Sequence, residues 1–130
     1  MKPFLDTNII VHSQVQGEKT EAAKALLQTG GVISVQVLNE CVDVLRRKAR
    51  LEWSVVERVS DDLRDYLGPP LPITLATHTQ GIHLARDHGF ALYDAMIIAS
   101  ALQAGCTTLL SEDMQHGRRL GPLTIHNPFL

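Results

Sequence analysis

The sequence predicts an α/β fold, a three-layer sandwich whose short, mostly parallel central sheet of about five strands is flanked by helices. Three observations lead there. Short apolar runs alternate with helical patterns along the whole chain, as strands joined by helical crossovers do. The strand-like runs are apolar throughout, which is how strands covered on both faces read. With 130 residues, no internal repeat and no long linker, the chain has room for one domain over residues 1–130.

The elements follow in order. Phe4-Leu5 reads as a short buried strand. Thr20 to Leu27 reads as a helix closed by Gly30-Gly31, and Val32-Ile33 as a second strand. From Val35 to Lys48 the pattern is helical, with Leu38, Cys41, Val42 and Leu45 at i, i+3, i+4 and i+7. Ser54 and Glu57 fit a capping box for a helix running to about Tyr66. Gly68-Pro69-Pro70-Leu71-Pro72 must end that helix, because proline cannot continue it. Ile73-Thr74-Leu75 is strand-like, and Thr77 with Gln80 fits a second capping box for a helix to about His88. Asp94 to Gln103 is helical, with Gly105 suited to its end. Thr107 to Leu110 and Leu123-Thr124-Ile125 complete the sheet.

Composition narrows the function classes. Apolar residues make up 45% and charged residues 20%, which excludes a disordered or collagen-like chain. No apolar stretch approaches the ~20 residues of a membrane span. Asp6 puts a charge inside what would be the apolar core of an export signal, so a cytoplasmic protein is expected. Cys41 and Cys106 match no zinc or redox spacing and read as small buried hydrophobes in a reducing compartment. A net charge of -2 argues against binding nucleic acid by bulk charge, but leaves room for a local basic strip. Arg46, Arg47, Lys48 and Arg50 form such a cluster, and Arg118-Arg119 a smaller one; each also reads as a solvated face.

The informative residues are acids. Asp6 directly follows the first strand and Asp113 closely follows the Thr107–Leu110 strand, which places both at the carboxyl edge of the sheet. Asp94 shares a helix face with Ile97, Ile98 and Ala101, an unexpected place for an unpaired carboxylate. Glu40 lies one turn from Val37 and Val44, at the flank of an apolar stripe. Taken singly, each has a plain alternative: Asp6 and Asp94 as helix caps, Asp113 as a turn residue, Glu40 as a surface acid. As a set they are harder to dismiss. Two carboxylates ~5 Å apart at an effective dielectric of ~20 repel by roughly 3 kcal/mol. Four together need a cation or bound protons. Oxygen-only ligands select Mg²⁺ or Mn²⁺, and two ions ~4 Å apart support in-line attack of water on a phosphodiester.

Four fragments then resemble a known family: Phe4-Leu5-Asp6-Thr7-Asn8, Ser34-Val35-Gln36-Val37-Leu38-Asn39-Glu40, Tyr93-Asp94-Ala95 and Ser111-Glu112-Asp113. Their order and spacing are similar to those of the PIN-domain ribonucleases, and within them to VapC-type toxins of toxin–antitoxin modules. Asn127-Pro128-Phe129 is also a common ending in that group. The resemblance spans Phe4 to Phe129 and implies a PIN-like sandwich. It implies that Asp6, Glu40, Asp94 and Asp113 form an acidic tetrad binding Mg²⁺ or Mn²⁺, with Thr7 and Asn8 beside Asp6 and the Ser111 hydroxyl supporting the acids. Glu112 stands next to Asp113, and either side chain is a candidate to face the metal. The implied activity is metal-dependent endonucleolytic cleavage of RNA. The implied partners are an inhibitory antitoxin, a second copy of the chain and, only through the antitoxin, operator DNA.

Other chemistries fit less well. The six histidines show no metal-ligand spacing; His116, in the loop after Asp113, is the one placed to touch substrate. There is no G-x-S-x-G elbow and no phosphate-cradling glycine loop. Arg46, Arg47, Lys48 and Arg50 are candidate contacts to RNA backbone or to an acidic antitoxin segment. Two further readings keep the fold: a non-catalytic interaction module, and a structure-specific DNA nuclease.

Overall fold

The computed structural model describes residues 1–130. In chain order its elements are β1 (Phe4–Leu5), α1 (Thr7–Gln14), α2 (Thr20–Thr29), α3 (Val35–Arg47), α4 (Trp53–Leu67), α5 (Leu75–His88), α6 (Leu92–Gln103), β2 (Thr108–Leu110), β3 (Arg119–Leu120) and β4 (Leu123–His126). The sheet order is β1-β2-β4-β3, with β1, β2 and β4 parallel and β3 antiparallel at one edge. Phe4, Leu5, Leu109, Leu123 and Ile125 are wholly buried. Neighbouring strand residues point to opposite faces, so burial of both Phe4 and Leu5 requires cover on both faces, as expected of this α/β class.

The sheet differs from expectation at three places. Val32 makes one parallel bridge to Phe4, its carbonyl accepting the Leu5 N–H at 2.9 Å, and Ser34 makes one to Leu71, so the expected Val32-Ile33 strand is reduced to isolated bridges on its two edges. It stops because Ser34 already caps α3, its hydroxyl accepting the Val37 N–H at 3.3 Å. Ile73-Thr74-Leu75 is not a strand. Leu71 makes the bridge, to Ser34, and Thr74 caps α5. Thr74 Oγ1 accepts the Thr77 N–H and Thr77 Oγ1 accepts the Thr74 N–H, so the capping box lies three residues ahead of the expected one. Gln80 instead accepts from Gln103 on α6. The unexpected strand is β3, joined to β4 by the two-residue turn Gly121-Pro122, where Gly121 has φ 59° as the first central position of such a turn requires. The box expected at Ser54 and Glu57 is absent; α4 starts at Trp53 after Glu52, without a side-chain cap.

The helices bury their apolar stripes as the periodicity indicates. Val37, Leu38, Cys41 and Leu45 on α3 are buried, and α6 is buried continuously from Ala95 to Ala101. Both cysteines are free and buried. No helix is long and apolar enough to cross a membrane.

One contact is tight enough to test. A Cβ on Gly31 would lie 2.6 Å from Leu5 Cγ, and Leu5 is completely buried beneath it. Gly31→Ala is therefore expected to destabilise the protein by about 1–3 kcal/mol through overpacking. Urea unfolding checks this: the midpoint should fall while the slope stays unchanged.

Candidate functional site

Leu5 lies opposite Leu110 in the parallel β1–β2 pair, so the next residues, Asp6 and Ser111, leave the sheet side by side at its carboxyl edge. The Asp6 N–H donates to the Leu110 carbonyl at 3.0 Å. Its side chain caps α1, Oδ1 accepting the Thr7 N–H at 2.7 Å. Oδ2 accepts from Ser111 Oγ at 2.7 Å and from Asn8 Nδ2 at 3.1 Å. One carboxylate thus serves as a helix cap and as a member of the acid group. Asp6 is only 4% exposed. Burial, together with the Asp94 and Glu40 charges, outweighs these hydrogen bonds and pushes its carboxyl up to about 6.

The other acids come from three separate elements. Glu40 projects from α3, Oε1 accepting from Thr7 Oγ1 at 2.9 Å and Oε2 from Gln36 Nε2 at 3.0 Å. Asp94 lies in the first turn of α6, half-buried, and burial with the Glu40 and Asp113 charges raises its carboxyl above the ordinary range. Asp113 is exposed and accepts from Asn8 Nδ2 at 3.2 Å. Asn8 is therefore a bridge between Asp6 and Asp113, and its Oδ1 accepts the Glu112 N–H at 3.0 Å.

The four acids line one crevice of about 320 Å³ with Thr7, Asn8, Val11, Val44, Lys48 and Glu112. A larger hollow of about 470 Å³, lined by Leu27, Val59, Leu63 and Tyr66 with Asp62 and Asp65, lacks this convergence of acids from separate elements. None of the ion pairs in the chain engages Asp6, Glu40, Asp94 or Asp113. Hydrogen bonds from Ser111, Asn8, Thr7 and Gln36 orient the carboxylates, and as they stand no three His, Cys, Asp or Glu side chains converge closely enough to hold a metal ion. The donor set still fits a hard divalent ion: it is all oxygen, and Asp6 and Asp94 feel uncompensated like charges. Behind it lies Cys41, Sγ 3.9 Å from the Thr7 carbonyl, its thiol pushed up by burial and by Asp6 and Glu40, and so kept protonated.

The remaining expected residues are divided. Glu112 turns its carboxylate to His12 Nε2 at 2.6 Å and to the Lys19 ammonium, while Asp113 reaches Asn8. Burial and Lys19 push the His12 imidazole below its ordinary range, and its Nε2 shares a hydrogen bond with the Glu112 carboxylate. Of the basic cluster, only Lys48 lines the crevice, on the α3 ridge Gln36, Glu40, Val44, Lys48. Arg46 stacks on Trp53 at 4.5 Å and donates to the Leu51 carbonyl, and Arg47 is bidentate on Asp43. Arg50 is exposed in a left-handed conformation, φ 56°. Consecutive helical residues point about 100° apart, which splits a run that reads as one patch. His116 stands away from the crevice, its Nδ1 accepting the Asn127 N–H at 2.9 Å. Gln36 went unnoticed in the sequence, although its i, i+4 spacing to Glu40 marks it. Lys19 and His12 left no local signal.

The PIN domain family matches residues 4–119. Among solved structures, VapC20 of Mycobacterium tuberculosis, a sarcin-ricin loop cleaving toxin, is similar with a TM-score of 0.70 and 18% identity over 85% of this chain and 90% of that one. VapBC2 from Rickettsia felis, bound to a DNA fragment from its promoter, is similar with a TM-score of 0.69 and 18% identity over 98% of each chain. At that identity the likeness is one of fold. No curated protein matches the sequence.

Burial of Asp6 and Asp94, reinforced by repulsion from the other acids, has a thermodynamic consequence. The folded protein holds protons on Asp6 and Asp94 that the unfolded chain releases, so metal-free stability rises as pH falls from about 6 towards 4 and is lost as pH rises. Metal-free Asp94→Asn should melt above wild type at pH 8 by roughly 3–5 °C, on the order of 1 kcal/mol, since water screens its open side. The difference should shrink below about pH 4, where wild-type Asp94 is neutral in both states. Thermal scans across pH check it; equal melting at pH 8 would mean that the Asp94 charge costs the fold nothing through burial or repulsion.

Proposed function

The chain belongs to the PIN-domain family, and from that premise we propose that its acidic crevice is the active site of a metal-dependent endoribonuclease, the toxin of a type II toxin–antitoxin pair. The observation that carries the reading is the convergence of Asp6, Glu40, Asp94 and Asp113 from four separate elements on one crevice without an ion pair. The likeness of fold to VapC20, itself a sarcin-ricin loop cleaving toxin, supports the substrate class.

In this reading Asp6, Glu40, Asp94 and Asp113 hold Mg²⁺ or Mn²⁺. When bound, such an ion lowers the pKa of a water and offsets charge on the departing oxygen of a phosphodiester. The residues of the chain do the positioning. Ser111, Asn8 and the Thr7 N–H fix the Asp6 carboxylate at the crevice wall, leaving Oδ1 with one acceptor site not taken by the protein. Thr7 and Gln36 fix both oxygens of Glu40. Lys48, at the crevice wall, is placed to receive a phosphate of the RNA backbone. No histidine lines the crevice, so none is assigned as general base. The other proposed partners are an antitoxin that covers the crevice and a second copy of the chain. Operator DNA is contacted only through the antitoxin. VapBC2 is a toxin–antitoxin assembly of this fold on promoter DNA.

Cleavage of a pool of structured RNAs by the purified protein tests the proposal. Discrete cuts are expected with Mg²⁺ or Mn²⁺ and none with EDTA. Asp94→Asn should lower the rate by at least about 100-fold, the scale of losing one preorganised electrostatic group. Cleavage that survives EDTA, or a folded Asp94→Asn that cuts at the wild-type rate, would overturn it.

A further inference from the structure

The ending Asn127-Pro128-Phe129 has no place in the chemistry above, yet the structure connects it to the acids. Asn127 Oδ1 accepts the Phe129 N–H at 2.9 Å across Pro128, and the Asn127 N–H donates to His116 Nδ1 at 2.9 Å. This Asx turn brings the Phe129 ring back onto α1 and the α1–α2 loop. There the ring meets His12 edge-on, with centroids 5.3 Å apart, and carries the Lys19 ammonium 5.4 Å above its centroid. His12 and Lys19 are the two groups that take the Glu112 carboxylate. The Glu112 N–H in turn fixes Asn8 Oδ1, and Asn8 Nδ2 donates to both Asp6 and Asp113.

We infer that Phe129 is a positioning residue for the acid group: through Lys19, His12 and Glu112 it sets the orientation of Asn8, and through Asn8 the separation of Asp6 from Asp113. The inference rests on the proposed metal-dependent reading of the crevice. It gives Glu112 a role that faces away from the metal. It also accounts for Lys19, 40% of whose side chain is exposed, being held in one place rather than left to solvent. The Phe129 ring shields one side of the Lys19 ammonium and of the His12 imidazole, and the Lys19–Glu112 charge pair loses strength as water reaches it. Without the ring, Lys19 is free to leave Glu112, the loop Ser111–Asp113 loses its outer tether, and Asn8 loses the fixed acceptor that orients its amide.

The test compares Phe129→Ala, Phe129→Tyr and Lys19→Met with wild type in two measurements. In metal-free protein, the side-chain amide resonances of Asn8 are recorded by NMR beside the backbone amides of Leu109 and Ile125. In calorimetry, Mn²⁺ alone is titrated. Phe129→Ala and Lys19→Met should displace the Asn8 side-chain resonances while Leu109 and Ile125 stay in place. Each should weaken Mn²⁺ binding by about 10-fold, the usual cost of losing a group that orients a ligand. The double variant should be no weaker than either single one, because both act in one chain of contacts. Phe129→Tyr, which keeps the ring, should behave as wild type. Unmoved Asn8 resonances in folded Phe129→Ala, or additive losses in the double variant, would overturn the inference. If wild type itself binds no Mn²⁺, the metal reading fails separately, and the Asn8 resonances alone decide the inference.

Discussion

The arrangement depends on keeping one carboxylate, Asp6, out of water. A charge so deeply buried is costly unless it is paired or well hydrogen-bonded. Asp6 has no cation and instead collects the Thr7 N–H, Ser111 Oγ and Asn8 Nδ2. Each donor comes from a feature the fold already needs. The Thr7 N–H belongs to the first turn of α1, where unpaired amides and the helix dipole favour an anion. Ser111 arrives because the β1–β2 register is parallel with Leu5 on Leu110. A slip by one residue would put a leucine where the hydroxyl stands and turn every buried strand residue to the wrong face. The register that builds the core therefore also builds the acid group.

The crevice is held open by polar contacts and loaded with like charge. Glu40, Asp94 and Asp113 approach Asp6 from α3, α6 and the loop after β2, elements whose apolar faces are anchored in the same core. That anchoring opposes the tendency of the acids to move apart. Folding energy from Leu38, Cys41, Ile97 and Ile98 thus holds an arrangement that is electrostatically unfavourable on its own. This is a common division of labour between scaffold and site.

Much of this was legible in the sequence where a signal was local. A short apolar run ending in Asp marks a strand edge, and the i, i+3, i+4, i+7 stripe of α3 fixes which way Glu40 can point. Asp94 stood out because it shares a helix face with isoleucines, and burial of Ala95 to Ala101 bears out that environment. The misreadings arose where a side chain competes with the ladder. Thr74 looks like a strand residue, but its hydroxyl closes a capping box and starts a helix instead. Val32 pairs with a neighbouring strand for one residue only, since Ser34 caps the next helix. β3 has two residues and one exposed side chain, too little for periodicity to register, although Gly121-Pro122 marks its turn. The basic run near Arg46 read as one patch because sequence adjacency hides helical rotation. The Lys19–Glu112–His12 contacts left no trace at all, being defined only by the tertiary fold.

The hydrogen bond between Ser111 and Asp6 joins residues 105 positions apart in the chain. Ribosomes add roughly 5–20 residues per second, so Asp6 waits on the order of 5–20 s before its partner has been made. Until then β1 has no β2 to pair with, and Asp113 does not yet exist. A nascent chain passes through nearly its whole synthesis without the acid group. The crevice appears late and all at once, so the timing of any activity it has is written into the order in which its two halves are translated.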